Sequence, residues 1–347
     1  MNEILIPSPD TIPVHWIWFQ VLLVVTFVIH LVLMNFILGG SLLTLWDMYR
    51  RKQDQPASSG IPTLIALTIN FGVPPLLFVQ VLYGHFFYTS SVAMAIPWIL
   101  VIPVLILAYY GAYVYVKNTD RAPGWSRAGM ISSSVLLLYI AFIFVNNSTL
   151  ALVPDRWAVY FDDPSGWNLN LGEPALFPRF FHFLVAAIAI GALGRAIFFQ
   201  YAKKGEANRA QEVKRNLKIF GWMTMLQVAV GTWFWFSMPK EIWMLFMGKN
   251  LYATVLMIIG WLGALGILHA GFAGRLWQGI VLGLLQVVIM VLIRDVVRQG
   301  YLGAYFHPGE LENVREISPL IVFLAIFLVG GFAIYYMIRL MLQPKNQ

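Results

Sequence analysis

The sequence predicts an all-α, polytopic membrane protein: a bundle of about nine transmembrane helices with its N-terminus outside and its C-terminus inside. Two observations carry that prediction. The 347 residues are 59% hydrophobic and only 11% charged, far from the composition of a soluble domain. The apolar residues also gather into segments of about 20, the length a helix needs to cross the hydrocarbon core. The N-terminal stretch Met1 to Val14 has no basic region and no small-residue cleavage site, so no signal peptide is expected.

The spans are placed at 16–46, 61–83, 94–116, 129–153, 179–201, 216–237, 251–273, 276–298 and 318–341. Pro74, Pro75 and Pro103 fall inside spans and predict kinks, which a bundle tolerates where neighbouring groups satisfy the freed carbonyls. The loops are too short for a separate soluble domain, so residues 1–347 form one membrane domain.

Lys and Arg set the orientation. Loops 47–60, 117–128, 202–215 and 274–275 and the C-terminal tail form one side, with Arg50-Arg51-Lys52, Lys203-Lys204 and Lys214-Arg215. The opposite loops carry Asp155, Asp162, Asp163, Glu173, Glu310, Glu312 and Glu316. The basic side is expected to be cytoplasmic, in a bacterial inner membrane. Trp16, Trp18, Trp98, Trp157, Trp233, Trp235 and Trp243 would form an aromatic belt at the outer boundary. The net charge of +7 follows this sidedness and does not point to nucleic acid.

The chain has no cysteine, which excludes disulfides, iron–sulfur ligation, thiolate ligation and covalent c-type haem within it. A redox centre would have to be held by His, Met or carboxylates. Six histidines are present. His182 lies about one turn inside span 5, in Pro178-Arg179-Phe180-Phe181-His182-Phe183-Leu184, and His30 lies near the middle of span 1. A polar ring at membrane depth needs pairing or coordination. Each of these two has two readings, axial ligation of haem iron or a core histidine bonded to a carbonyl or a water. His85, at the outer end of span 2, stands evenly between them. His269 reads as structural or interfacial, and His15 and His307 as outer loop residues.

Met257 on span 7 matches the depth of His182 and is the best candidate for a second axial ligand, ahead of Met244 and Met247, although Met is also an ordinary gap-filler. Arg179 precedes His182 by three residues and shares its face. It would pair with a haem propionate or snorkel to lipid headgroups. Arg294 to Arg298 closes span 8, where Asp295 and Arg298 are set to form an intrahelical pair or to serve propionate or quinol binding. Gly39, Gly40, Gly191 and Gly194 suit close helix packing or a flat macrocycle. The spans and their immediate edges carry only Asp47 and Asp295 as acids, both near ends. This argues against a proton-coupled transporter, and against oxygen reduction with protons drawn through this chain.

These segments resemble subunit I of the cytochrome bd quinol oxidases. Arg179 to Ala187 is similar to the family's ligand segment for a low-spin haem b, and His30 followed by Gly39 to the segment that binds a high-spin haem. Ile69-Asn70-Phe71-Gly72 with Val79-Gln80 resembles the family's third span, and Ala141 to Asn147, ending at Pro154, its fourth. The match runs through 16–215, with 216–347 divergent. Val81 stands where the family has a glutamate, residues 82–116 contain no Glu, the loop at 238–250 is short where the family's quinol loop is long, and the Gly-Arg-Gln-Pro-Trp signature is missing.

The resemblance implies non-covalent haem b, one or more, on His182 and His30; the reading of the residues adds Met257, His85 and Arg179 as further candidate cofactor contacts. The expected function is a haem b membrane subunit of a respiratory oxidoreductase. It would pass electrons between membrane quinol and an outer partner such as a c-type cytochrome, an iron–sulfur protein or a molybdoenzyme. Its other contacts would be membrane lipid and further subunits. The alternatives are the haem subunit of a terminal oxidase that reduces oxygen, and a haem-free anchor or transporter.

Overall fold

A computed structural model describes residues 5–51, 60–119, 121–201, 208–314 and 316–342. Lys52 and Lys203-Lys204, which entered the charge argument, lie outside the described residues, as does the end of the C-terminal tail. The described chain is helical: α1 (Trp16–Arg51), α2 (Ile61–Ala93), α3 (Ala95–Ile99), α4 (Val101–Asn118), α5 (Pro123–Leu150), α6 (Val159–Asp162), α7 (Leu176–Tyr201), α8 (Arg209–Ser237), α9 (Lys240–Trp243), α10 (Leu251–Phe272), α11 (Leu276–Leu302) and α12 (Ser318–Leu342).

Among the described residues, 8 stretches are long and apolar enough to cross a membrane. They are α1, α2, α3 with α4, α5, α7, α8, α10 and α11. The expected ninth span coincides with α12, whose apolar part among the described residues, Ile321–Ala333, is shorter. Apolar side chains such as Ile102, Leu262 and Val322 stand exposed along the helices. That pattern suits lipid as the surrounding solvent, since a water-soluble bundle would turn polar faces outward.

The helices pack as neighbours in the chain, α1 on α2, α4 on α5, α7 on α8 and α10 on α11, and α1 also lies along α7. Glycine makes that last crossing possible. A methyl group on Gly191 would fall 2.6 Å from the Gly39 carbonyl carbon and the Gly40 nitrogen. Gly39 in turn abuts the Ala187 carbonyl, and Gly194 seats Phe36. Gly39 and Gly191 therefore serve backbone approach between helices and Gly194 seats a side chain; Gly40 has open space where its Cβ would be.

One end of the bundle is tied together by its loops. The N-terminal segment pairs with the segment after α11, Ile12 N donating to Glu312 O and Val314 N to Ile12 O. Ile96 N donates to Gly166 O, joining the α2–α4 connection to the α5–α7 loop. Trp157 is not part of a lipid-facing belt. It is 3% exposed, packs in the core with Phe86, and donates from Nε1 to Leu150 O at 2.9 Å. The aromatic ring here caps the carbonyl at the end of α5.

At the opposite end, α1, α7 and α8 converge on Asp47. Its carboxylate accepts from Arg195 Nη2 at 2.5 Å and from both terminal nitrogens of Arg215, which also pairs with Glu212 at 3.3 Å. Three helix ends are thus joined by one buried carboxylate.

α2 runs unbroken through Pro74 and Pro75 and leaves helical geometry at Tyr83 (φ −134°, ψ 28°). The irregular turn lies beyond the prolines, next to Gly84, and it sits among the polar groups described next.

Candidate functional site

Two histidines face two different helix pairs. His30 on α1 turns towards α2, where its ring lies against Gly72; a methyl group there would fall 2.8 Å from His30 Cε1. His30 Nδ1–H donates to the Thr68 carbonyl at 3.1 Å. A core histidine makes such a bond. The same bond fixes the tautomer and leaves Nε2 with its lone pair, which is how a second-shell carbonyl prepares an imidazole for a metal.

His182 on α7 turns towards α8. Its ring packs on Gly231, where a methyl group would fall 3.0 Å from His182 Cε1, and lies 5.9 Å from the Phe234 ring. His182 Nε2 meets Gln227 Nε2 at 2.9 Å. As assigned, the Gln227 amide donates to the ring, and the buried atoms His182 Nδ1 and Gln227 Oε1 have no partner. Turning the amide over makes Nε2–H the donor to Oε1 and still leaves Nδ1 unpaired. Either way one buried imidazole nitrogen is unsatisfied. A metal at Nε2 would require Gln227 to swing away.

The structure keeps His30 and His182 apart, one in the α1/α2 contact and one in the α7/α8 contact. It does bring Arg179 to His182. The Arg179 guanidinium is 5.2 Å from the Phe234 ring centroid, on the same ring that His182 approaches. Arg179 is buried, reaches Ser148 Oγ at 3.5 Å, and leaves Nε unpaired. Met257 sits in the adjoining apolar cluster with Phe234, Leu292 and Ile293.

A third group gathers where α2, α7 and α11 meet. Arg294 and Arg298 come from α11, Arg179 from α7, and all three lie within electrostatic range of one another through Arg294. Arg294 stacks on Phe27 of α1 at 4.7 Å, and Arg298 on Tyr83 of α2 at 4.6 Å. The expected Asp295–Arg298 pair is present at 3.2 Å, and Gln299 Nε2 donates to Asp295 Oδ2 at 2.8 Å. His85 is buried against Phe306, 4.5 Å between ring centroids, and Phe306 also touches Tyr83. Arg294 and Arg298 thus face Asp295, with Glu173 and Tyr301 in range of Arg179. A surplus of cation held away from water favours a ligand with anionic or electron-rich oxygens.

The remaining histidines have local duties. His307 caps the turn at Pro308–Glu310, and His15 accepts weakly from Ile17 N at 3.4 Å. His269 is exposed near Arg275 and Trp277. Met247 is exposed. Among the described residues no three of His, Cys, Asp and Glu gather as a bare-metal site.

Gln227, Gly231, Thr68 and Gly72 are partners that reading along the chain does not find. Gln227 carried the clearer signal, as a lone amide inside the apolar run of α8. Tyr83 and Tyr301 are further members of the polar group, each with a buried, unpaired hydroxyl. Comparison with known proteins finds no matching family model, no matching curated protein and no matching solved structure.

Proposed function

We propose that the chain is a haem b-binding integral membrane subunit of a respiratory oxidoreductase, in a bacterial cytoplasmic membrane with its N-terminus outside. It passes electrons between membrane quinol and a redox partner on the outer side. The observation that carries this reading is His182, a membrane-depth imidazole with an unpaired buried nitrogen, one turn from a buried arginine that shares its aromatic contact. Bound haem would supply a one-electron carrier.

The chain's own residues offer donors for that group. His182 and His30 would hold iron, with Gly231 and Gly72 seating each ring against the next helix and Gln227 moving off His182 Nε2. Met257, sharing the Phe234 cluster, is the candidate opposite ligand. Arg179, buried on the Phe234 ring that His182 also approaches, presents a guanidinium suited to a propionate. The scarcity of buried acids agrees with electron transfer that draws no proton through the chain.

The test is a reduced-minus-oxidised spectrum of the purified complex, with a pyridine haemochrome assay. The wild type is expected to show b-type haem, and His182→Ala to lose the low-spin signal. A wild type without a Soret band, or a His182→Ala spectrum unchanged from wild type, rejects the reading. Oxygen uptake driven by quinol would instead make the chain the haem subunit of a terminal oxidase.

A further inference from the structure

The group at the α2–α7–α11 junction has a donor and acceptor inventory that specifies more than an anion. Tyr83 Oη, His85 Nε2, Arg298 Nη1 and Tyr301 Oη are buried without partners. So is Asp295 Oδ1, because Arg298 Nη2 lies 3.2 Å from it but off the line of a hydrogen bond. Tyr83 is 3% and Arg298 9% exposed, so water does not serve them. Unmade bonds at such depth are costly. A ligand that satisfies this set must offer oxygen acceptors to Arg298 and Tyr83 and a hydroxyl hydrogen to Asp295. A porphyrin carboxylate or a lipid phosphodiester offers acceptors alone and sets negative charge against Asp295.

Below this group the α1–α11 seam becomes apolar. A cavity of ≈ 200 Å³ is lined by Val32 and Phe36 of α1, Ile190 and Leu193 of α7, and Gly283 and Val287 of α11. Val287 lies seven residues before Arg294 on α11, about 10 Å at the rise of an α-helix. The Arg294–Phe27 contact stands between the two regions. A polar head site and an apolar cleft therefore share one seam, as an amphiphile with a hydroxylated head and a long apolar tail requires.

We propose that this seam binds a prenylated hydroquinone, with a ring hydroxyl on Asp295, ring oxygens held by Arg294, Arg298 and Tyr83, and the tail in the cavity. The proposal rests on the quinol-linked reading above, and it places the quinol away from the short 238–250 loop.

The test uses the purified complex in quinone-free phosphatidylcholine nanodiscs, titrated with a decyl-substituted hydroquinone and with its tail-less parent. Wild type is expected to bind the decyl compound saturably. Asp295→Asn is expected to weaken both ligands roughly tenfold, because a charge-assisted hydrogen bond is lost. Val32→Phe, filling the cavity, is expected to weaken the decyl compound and spare the parent. If Val32→Phe does not give a monodisperse complex, Asp295→Asn decides alone. The proposal is overturned if wild type shows no saturable binding, or if Asp295→Asn leaves affinity within about twofold. It is also overturned if phosphatidylglycerol displaces the ligand and is itself indifferent to Asp295→Asn, which makes the occupant a lipid. The two readings are separated by the wild-type spectrum: saturable hydroquinone binding by a wild type that carries no haem sinks the haem subunit and leaves this site standing.

Discussion

Replacing Asp47 by Asn tests whether one carboxylate holds the converging ends of α1, α7 and α8 together. Asp47 is 1% exposed, and it accepts from Arg195 Nη2 at 2.5 Å and from Arg215 Nη1 at 3.1 Å, with Arg215 Nη2 on its other oxygen. Asparagine keeps the shape but removes the charge and turns an N–H towards a guanidinium. Removing one partner of a fully buried ion pair costs about 3–5 kcal/mol. Two features reduce that figure. The Arg195 and Arg215 side chains keep 16% and 23% of their surface in contact with solvent, and Glu212 still pairs with Arg215 at 3.3 Å. Screening by solvent then brings the expected cost to about 2–3 kcal/mol. At about 1.4 kcal/mol per factor of ten, the unfolded population rises roughly 30- to 140-fold. Thermal melting in detergent, followed by loss of the monodisperse peak, reads the change. Arg195→Gln and the double variant complete a cycle, in which the second substitution should add little to the first. Unchanged melting for Asp47→Asn, or strictly additive effects, would show that the three helix ends are held by apolar packing alone.

Gly191→Val should destabilise by about 1–3 kcal/mol or more, because its side chain meets the α1 backbone, whereas Gly40→Ala should melt like wild type; equal melting of the two would contradict the α1–α7 crossing. Asn147→Ala removes the acceptor of Ser90 Oγ, 2.5 Å away, and the donor to Ser91 Oγ at 2.8 Å. The expected loss is about 1–3 kcal/mol by the same melting assay, since Ser90 and Asn147 are buried. The natural absence of cysteine allows topology to be read from single replacements. Ser165→Cys should react with an impermeant maleimide on intact cells and Ala273→Cys only after permeabilisation, and the reverse pattern would invert the orientation read from Lys and Arg.

Eight of the nine expected spans were legible because a membrane helix declares itself through its own length and hydropathy. Side-chain pairing was legible only where it is local. The Asp295–Arg298 pair and the shared face of Arg179 and His182 lie three residues apart, within reach of helical periodicity. His182 with Gln227 and His30 with Thr68 are tertiary pairings, and nothing in one sequence says which spans will touch. Trp157 misled for the same reason. A tryptophan near a boundary suits lipid until a core carbonyl, here Leu150 O, takes its N–H. The departure of α2 from helical geometry at Tyr83 was not legible, because Pro74 and Pro75 announce themselves in the sequence and this turn does not.

Arginine shows most plainly what one dimension withholds. Arg195 and Arg215 at one end of the bundle look no different in sequence from Arg179, Arg294 and Arg298 towards the other. The first two converge on a carboxylate that accepts from both, and helix ends held this way need no ligand. Of the other three, Arg294 and Arg298 face Asp295, while buried nitrogens on Arg179 and Arg298 stay unpaired. A membrane interior does not hold unsatisfied cationic donors without cost. The same side chain is therefore structural where its hydrogen bonds are met and points to a ligand where they are not. Only the folded arrangement distinguishes the two cases, by bringing α1, α2, α7 and α11 together around groups that the chain itself leaves unmatched.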